Sequence, residues 1–343
     1  MFSGIEVFIA KLGNPTENPS VLITPRSKYL SAILIFLVFL LICPLVVVAG
    51  KPEYWKRPAA PKMTVRTIRE SLDGKESVPF YDALKKALKK RKTTVESICP
   101  PSDPVARRIL EEYGAVYIAT KKVLPPPLCV FANEEQVAKF QNDAGFEAEF
   151  MGYDEIELQP AALKELRKAR EEAQKEGLDI TPRDGAEAAR RNYEDSLRLW
   201  NSRFQPALDY WLGQGRLTAD QVARLKALPL SQQVAEVLEL EKSGIYFSKD
   251  LSKSILYSIA APGTSQHIAM LAFDVNEFEN PRVRQIMANH GWFQTVISDL
   301  PHFTFLGLKE KDLPKHGLRS IEVNGQTFWI PNVVGSAHPG LDK

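Results

Sequence analysis

Pro262-Gly263-Thr264-Ser265-Gln266-His267 is followed by Leu271-Ala272-Phe273-Asp274-Val275 and, further on, by Asp299-Leu300-Pro301-His302-Phe303. Two histidines and a carboxylate stand out in this texture. Asp274 lies in an apolar run that reads as a buried strand, where an ionised carboxylate without a partner is costly. A metal ion would supply the missing charge. His267, Asp274 and His302 form a donor set of nitrogen and oxygen suited to zinc with three protein ligands and one open position. On spacing alone a second reading stays open: a turn histidine at 267, a salt-bridged Asp274, and His302 in an aromatic pocket beside Phe303 and Phe305.

Working outward, the chain beyond Ser254 consists of short β-rich runs. Ile321–Val323 and Gln326–Ile330 flank Asn324-Gly325, a strong two-residue hairpin signal. Upstream, apolar residues follow helical spacing over Ala161–Gly177 and Ala186–Leu212, with Pro206 expected to break the second helix. Thr218 and Gln221 form a capping-box pattern opening a helix to about Leu228, and Pro229 separates it from one ending near Gly244. Helices followed by strands argue an α+β class.

The motif grammar resembles the D-alanyl-D-alanine carboxypeptidase and peptidoglycan endopeptidase group of zinc metallopeptidases, the VanY-like peptidases. Their sites look like Pro-Gly-x-Ser-x-His, six residues to an Asp in a hydrophobic strand, then Glu-x-x-His followed by Phe. The interval from His267 to Asp274 is the same. Val283–Val296 is similar to the family's helix and Gly-aromatic turn. The likeness is specific over 261–307, weak over 161–254, and absent before residue 63. It implies a zinc DD-peptidase (hedgehog/DD-peptidase-like) catalytic domain with helical insertions, and Zn2+ held by His267, Asp274 and His302. It also implies Ser265 near the substrate and Asp299 as general base. Asp299 stands where the family has Glu; one methylene shorter, it can do the proton transfer or instead orient His302. The family arginine that holds a substrate carboxylate has no clean copy here. Arg183, in Ile180–Gly185, is the nearest substitute, with Arg190 and Arg191 competing.

The near balance of 44 Lys and Arg against 42 Asp and Glu gives no global field pointing to nucleic acid. Leu30–Ala49 carries no charge and is long enough to cross a bilayer, so it reads as a transmembrane anchor, or as a signal segment. The expected layout is a cytoplasmic lead (1–29), the membrane segment (30–49), a Pro-rich linker (50–62), a small α/β domain (63–153), the peptidase domain (154–335) and a tail (336–343). Within the small domain, Phe80, Leu84 and Leu88 recur every four residues among lysines, Ala115–Ala119 and Leu128–Phe131 read as strands, and Asn133 caps a helix to about Gln141. The protein is thus expected at the cytoplasmic membrane, single-pass, with its catalytic domain on the periplasmic or extracellular side. There it would cut amide bonds of peptidoglycan stem peptides. The alternative is a weakly active or inactive wall-binding scaffold. In an exported domain Cys99 and Cys129 either pair or remain two small core residues.

Overall fold

Phe80, Leu84 and Leu88 are buried and Lys85, Lys86, Lys89 and Lys90 exposed along helix α1, Pro79–Lys89, as the four-residue recurrence requires. The computed structural model describes residues 78–100 and 102–333. After α1 come a short helix α2, Val95–Ile98, and α3, Pro104–Tyr113, capped by Asp103 accepting from the amides of Val105 and Ala106. Asn133 caps α4, Glu134–Ala144, and strands β1, Glu147–Met151, and β2, Asp154–Leu158, form an antiparallel hairpin. Four helices follow: α5, Pro160–Lys175; α6, Tyr193–Gly213; α7, Ala219–Ala227; and α8, Leu230–Lys242. The site lies in the remainder: β3, Ala272–Asp274; α9, Pro281–Asn289; β4, Trp292–Gln294; β5, His302–Phe305; β6, Leu318–Val323; and β7, Gln326–Pro331.

The sheets are small and antiparallel, with strand order β3-β5-β4 in the central one and β6-β7 as a separate hairpin. Asn324 and Gly325 turn that hairpin at φ 51° and 72°, the left-handed pair a two-residue turn needs. With antiparallel strands and segregated helices the class is α+β.

Two apolar cores carry these elements. One gathers α1, α5, α9 and the central sheet around Phe80, Leu163, Phe273, Trp292 and Phe305. The other is helical, built on Trp200, Phe204, Val237 and Phe247. Trp200 also donates its indole N–H to Gln233 Oε1 at 2.9 Å, so its burial leaves no orphan donor. The turn 261–267 runs between them, with Ala261 in the helical core and Ile268 in the other.

Several expectations are corrected. No helix among the described residues is long and apolar enough to cross a membrane. Neither the single-pass fold nor, with it, the placement at the cytoplasmic membrane with an outward catalytic domain is carried by any described helix. The segment 30–49 that prompted it lies outside the described residues, as do 1–29, 50–62 and the tail 336–343. Ala115–Ala119 is not a strand: Gly114–Ile118 is a buried 3-10 helix. Leu128–Phe131 has no ladder; Cys129 donates to Ile98 O and Phe131 to Gly263 O, so its polar backbone is satisfied irregularly. Pro206 does not break α6, which runs through it for 21 residues.

Candidate metal centre

Gly263 opens the site. At φ 76° a Cβ there would sit 2.1 Å from Phe131 O, so only glycine lets the two backbones meet. Phe131 donates its amide to Gly263 O at 2.9 Å, and the Gly263 amide donates to the buried Ser196 hydroxyl at 3.1 Å. Ser265 then caps the 3-10 turn Gln266–Ala269, accepting from the His267 amide at 3.3 Å. The chain leaves through Met270 at φ 54° into β3. On the sheet, Asp274 of β3 lies directly opposite His302 of β5, and cross-strand partners present their side chains on one face. Register therefore delivers two donors side by side, and the turn delivers His267 above them.

The three donor atoms form a tight triangle. His267 Nε2 is 3.1 Å from His302 Nδ1, His302 Nδ1 is 3.1 Å from Asp274 Oδ1, and His267 Nε2 is 3.3 Å from Asp274 Oδ1. Bonds of ~2.0–2.1 Å at tetrahedral angles would set such donors about 3.3 Å apart. The remaining ring nitrogens fix what the facing atoms are. His267 Nδ1 lies 3.1 Å from Ala189 O, and His302 Nε2 lies 2.9 Å from Gln266 Oε1. Both partners are acceptors, so an imidazole with a single N–H spends it outward. The Gln266 amide is itself oriented, since its Nε2 donates to Tyr113 O at 2.9 Å and its Oε1 also accepts from the Thr304 hydroxyl. In that pair of tautomers two imidazole lone pairs and a carboxylate oxygen converge on one point, which a cation satisfies and, in its absence, a proton shared between a histidine and Asp274 does. This buried group can hold a metal ion, and the charge of a cation removes the repulsion.

Electrostatics agree. Burial, then the Arg191 guanidinium, lowers His267 to about 4, keeping the imidazole neutral near neutral pH. Burial alone would raise the Asp274 carboxyl, but His267 and His302 beside it hold the group well below the usual carboxylate range. Arg191 takes the other carboxylate oxygen, Asp274 Oδ2, at 2.9 Å, and is braced by donating its Nε to Glu187 O at 2.9 Å. Asp274 therefore offers one oxygen to the site.

His267 and His302 line an open cleft of about 130 Å³, room for a few waters or a small ligand group. Tyr113, Leu256 and Tyr257 line it together with Arg191, Ser265 and Asp299. Asp299 is half-buried, and burial, followed by the Asp274 carboxylate, pushes it up to about 6. Arg183 is elsewhere. Its guanidinium is half-exposed, 4.0 Å from Asp184 and over the Phe278 ring, outside the cleft lining, while its amide donates to Asp274 O. Of the three arginines weighed from sequence, Arg191 faces the cleft; Arg190 pairs with Glu157 and Gln141. Gln266 and Tyr113 were missed. Gln266 had only its adjacency to His267 as a signal, and Tyr113 had none.

Comparison with family models, curated proteins and solved structures finds no match to this chain. Its chemistry therefore has to be read from the residues themselves.

Proposed function

We propose that the chain is a zinc peptidase that hydrolyses amide bonds in peptidoglycan stem peptides, of the D-Ala-D-Ala carboxypeptidase type or an endopeptidase. The observation that carries this reading is the convergence of His267 Nε2, His302 Nδ1 and Asp274 Oδ1 at tetrahedral-face spacing, with both histidines lining an open cleft. Two nitrogens and one oxygen suit zinc over the harder cations, which prefer all-oxygen sites. Peptide as substrate class comes from the likeness of 261–307 to the VanY-like peptidases.

Zinc in such a site lowers the pKa of water towards ~7 and polarises a carbonyl. The residues of the chain do the rest. Asp299, raised towards neutrality and facing the same cleft, takes a proton from the attacking water and returns it to the leaving amine. Gln266 and Ala189 O keep the two imidazoles in the tautomers that leave their facing nitrogens bare. Arg191 holds Asp274 and, at the cleft edge, offers positive charge to a carboxylate or developing oxyanion.

A second reading, a binding protein that grips stem peptides without efficient turnover, is favoured by Asp at 299 in place of Glu. The two separate when the purified full chain, with His267→Ala and Asp299→Ala beside it, is tested for zinc content and for cleavage of defined tetra- and pentapeptide stems. Zinc at one equivalent with cleavage lost in both variants supports the enzyme. One zinc without cleavage supports the binding protein, and no zinc removes both.

A further inference from the structure

The thiols of Cys99 and Cys129 are chemistry that the nitrogen and oxygen donors of the metal centre leave unused. Cys99 follows α2, and Cys129 lies in the irregular segment after Pro125-Pro126-Pro127. The Cys129 amide donates to Ile98 O at 2.7 Å. That bond keeps the two Cα atoms within about 7 Å, the reach of a disulfide. Each cysteine is 4% exposed. The Cys99 thiol donates to Ala106 O at 3.1 Å, and Cys99 is also the foremost electrostatic neighbour of the Cys129 thiol, so the two sulfurs lie close together.

We propose that Cys99 and Cys129 form a disulfide that closes residues 99–129 and braces the scaffold behind the metal centre. Both flanks of the closed loop bear on the site. Tyr113, inside it, supplies the carbonyl that orients Gln266. Phe131, two residues beyond Cys129, donates to Gly263 O and presses on Gly263 where no side chain fits. The oxidant is a small disulfide such as oxidised glutathione. One cysteine thiolate displaces a glutathione thiolate to give a mixed disulfide, and the other displaces the second. Two protein thiols become one disulfide, one glutathione disulfide becomes two thiols, and the protons pass to the released thiolates. The neighbouring Cys99 and burial push the Cys129 thiol up, so the exchange belongs to the chain before this segment closes.

The test uses the full chain, unfolded, refolded in a glutathione redox buffer and then alkylated in denaturant without reductant. Mass spectrometry is expected to find Cys43 alkylated and the peptides of Cys99 and Cys129 joined, about 2 Da lighter than the two thiols. Alkylation at both Cys99 and Cys129, or a link from either to Cys43, overturns the proposal. For the bracing, reductant is expected to lower Tm by on the order of 5–15 °C, the effect of opening a loop of this length in a domain of this size. It is also expected to speed hydrogen exchange at the Phe131 amide at least roughly tenfold. Equal Tm and equal exchange in the two redox states overturn the bracing even where the bond forms. The double variant C99A/C129A, indifferent to reductant, controls for other effects of the reagent.

Discussion

Replacing Gln266 by Met removes one acceptor and one donor group at nearly constant volume. In the structure Gln266 Oε1 receives His302 Nε2 at 2.9 Å and the Thr304 hydroxyl, while its Nε2 donates to Tyr113 O at 2.9 Å. Thr304 keeps a partner in Thr295 at 2.6 Å and the Tyr113 carbonyl keeps the 3-10 turn it caps, but the His302 N–H loses its partner. One buried polar group without a partner costs about 1–3 kcal/mol, so the metal-free protein should lose about 1–3 kcal/mol. The imidazole of His302 also loses what holds its N–H away from the site, and either tautomer or ring rotation then competes with metal binding. Loss of such an outer partner typically weakens a metal site 10–100-fold, or about 1.4–2.7 kcal/mol. The assay is a competition titration of zinc against a chromophoric chelator at fixed pH, with urea unfolding of the metal-free proteins alongside. Reduced stability with zinc affinity within about twofold of wild type would refute the reasoning, because Gln266 would then be only a satisfied core amide.

Arg191→Met strips Asp274 Oδ2 of its ion-pair partner in a largely buried setting. It should destabilise the metal-free protein by about 3 kcal/mol, and zinc should restore part of that loss because it neutralises the same carboxylate; unfolding with and without zinc measures both. Gly263→Ala places a Cβ 2.1 Å from Phe131 O at a positive φ and should cost at least about 3 kcal/mol in urea unfolding, leaving no zinc uptake where it prevents folding. Glu241 accepts the Ile255 amide at 2.6 Å, and burial raises its carboxyl above the ordinary value. The folded state therefore binds a proton that the unfolded chain has released, and stability falls as pH rises through the raised value. Glu241→Gln should flatten that part of the stability–pH curve, which urea unfolding at intervals from pH 4 to about 8 checks.

The triad was legible because its order along the chain is also its order in space. A short turn carries His267 into β3, and the β3–β5 register sets Asp274 against His302. The parts that hold it were not. Arg191 meets Asp274 across 83 residues, and Gln266 meets Tyr113 across 153, and neither pairing leaves a periodic trace. Apolar runs misled where both readings bury every residue: Gly114–Ile118 is wholly buried as a 3-10 helix, so alternation could not distinguish it from a strand. Pro206 misled in the other direction. Trp200 and Phe204 before it and Ala207 and Leu208 after it all enter one core, and that packing outweighs the ~3 kcal/mol a proline costs inside a helix.

The most direct test of the metal centre is zinc K-edge X-ray absorption on the zinc-loaded full chain beside His302→Ala. The account predicts one zinc per chain with two imidazole nitrogens and oxygen at ~2.0–2.1 Å, and one imidazole fewer or no retained zinc in the variant. A first shell containing sulfur at ~2.3 Å, or a spectrum unchanged by His302→Ala, would contradict it.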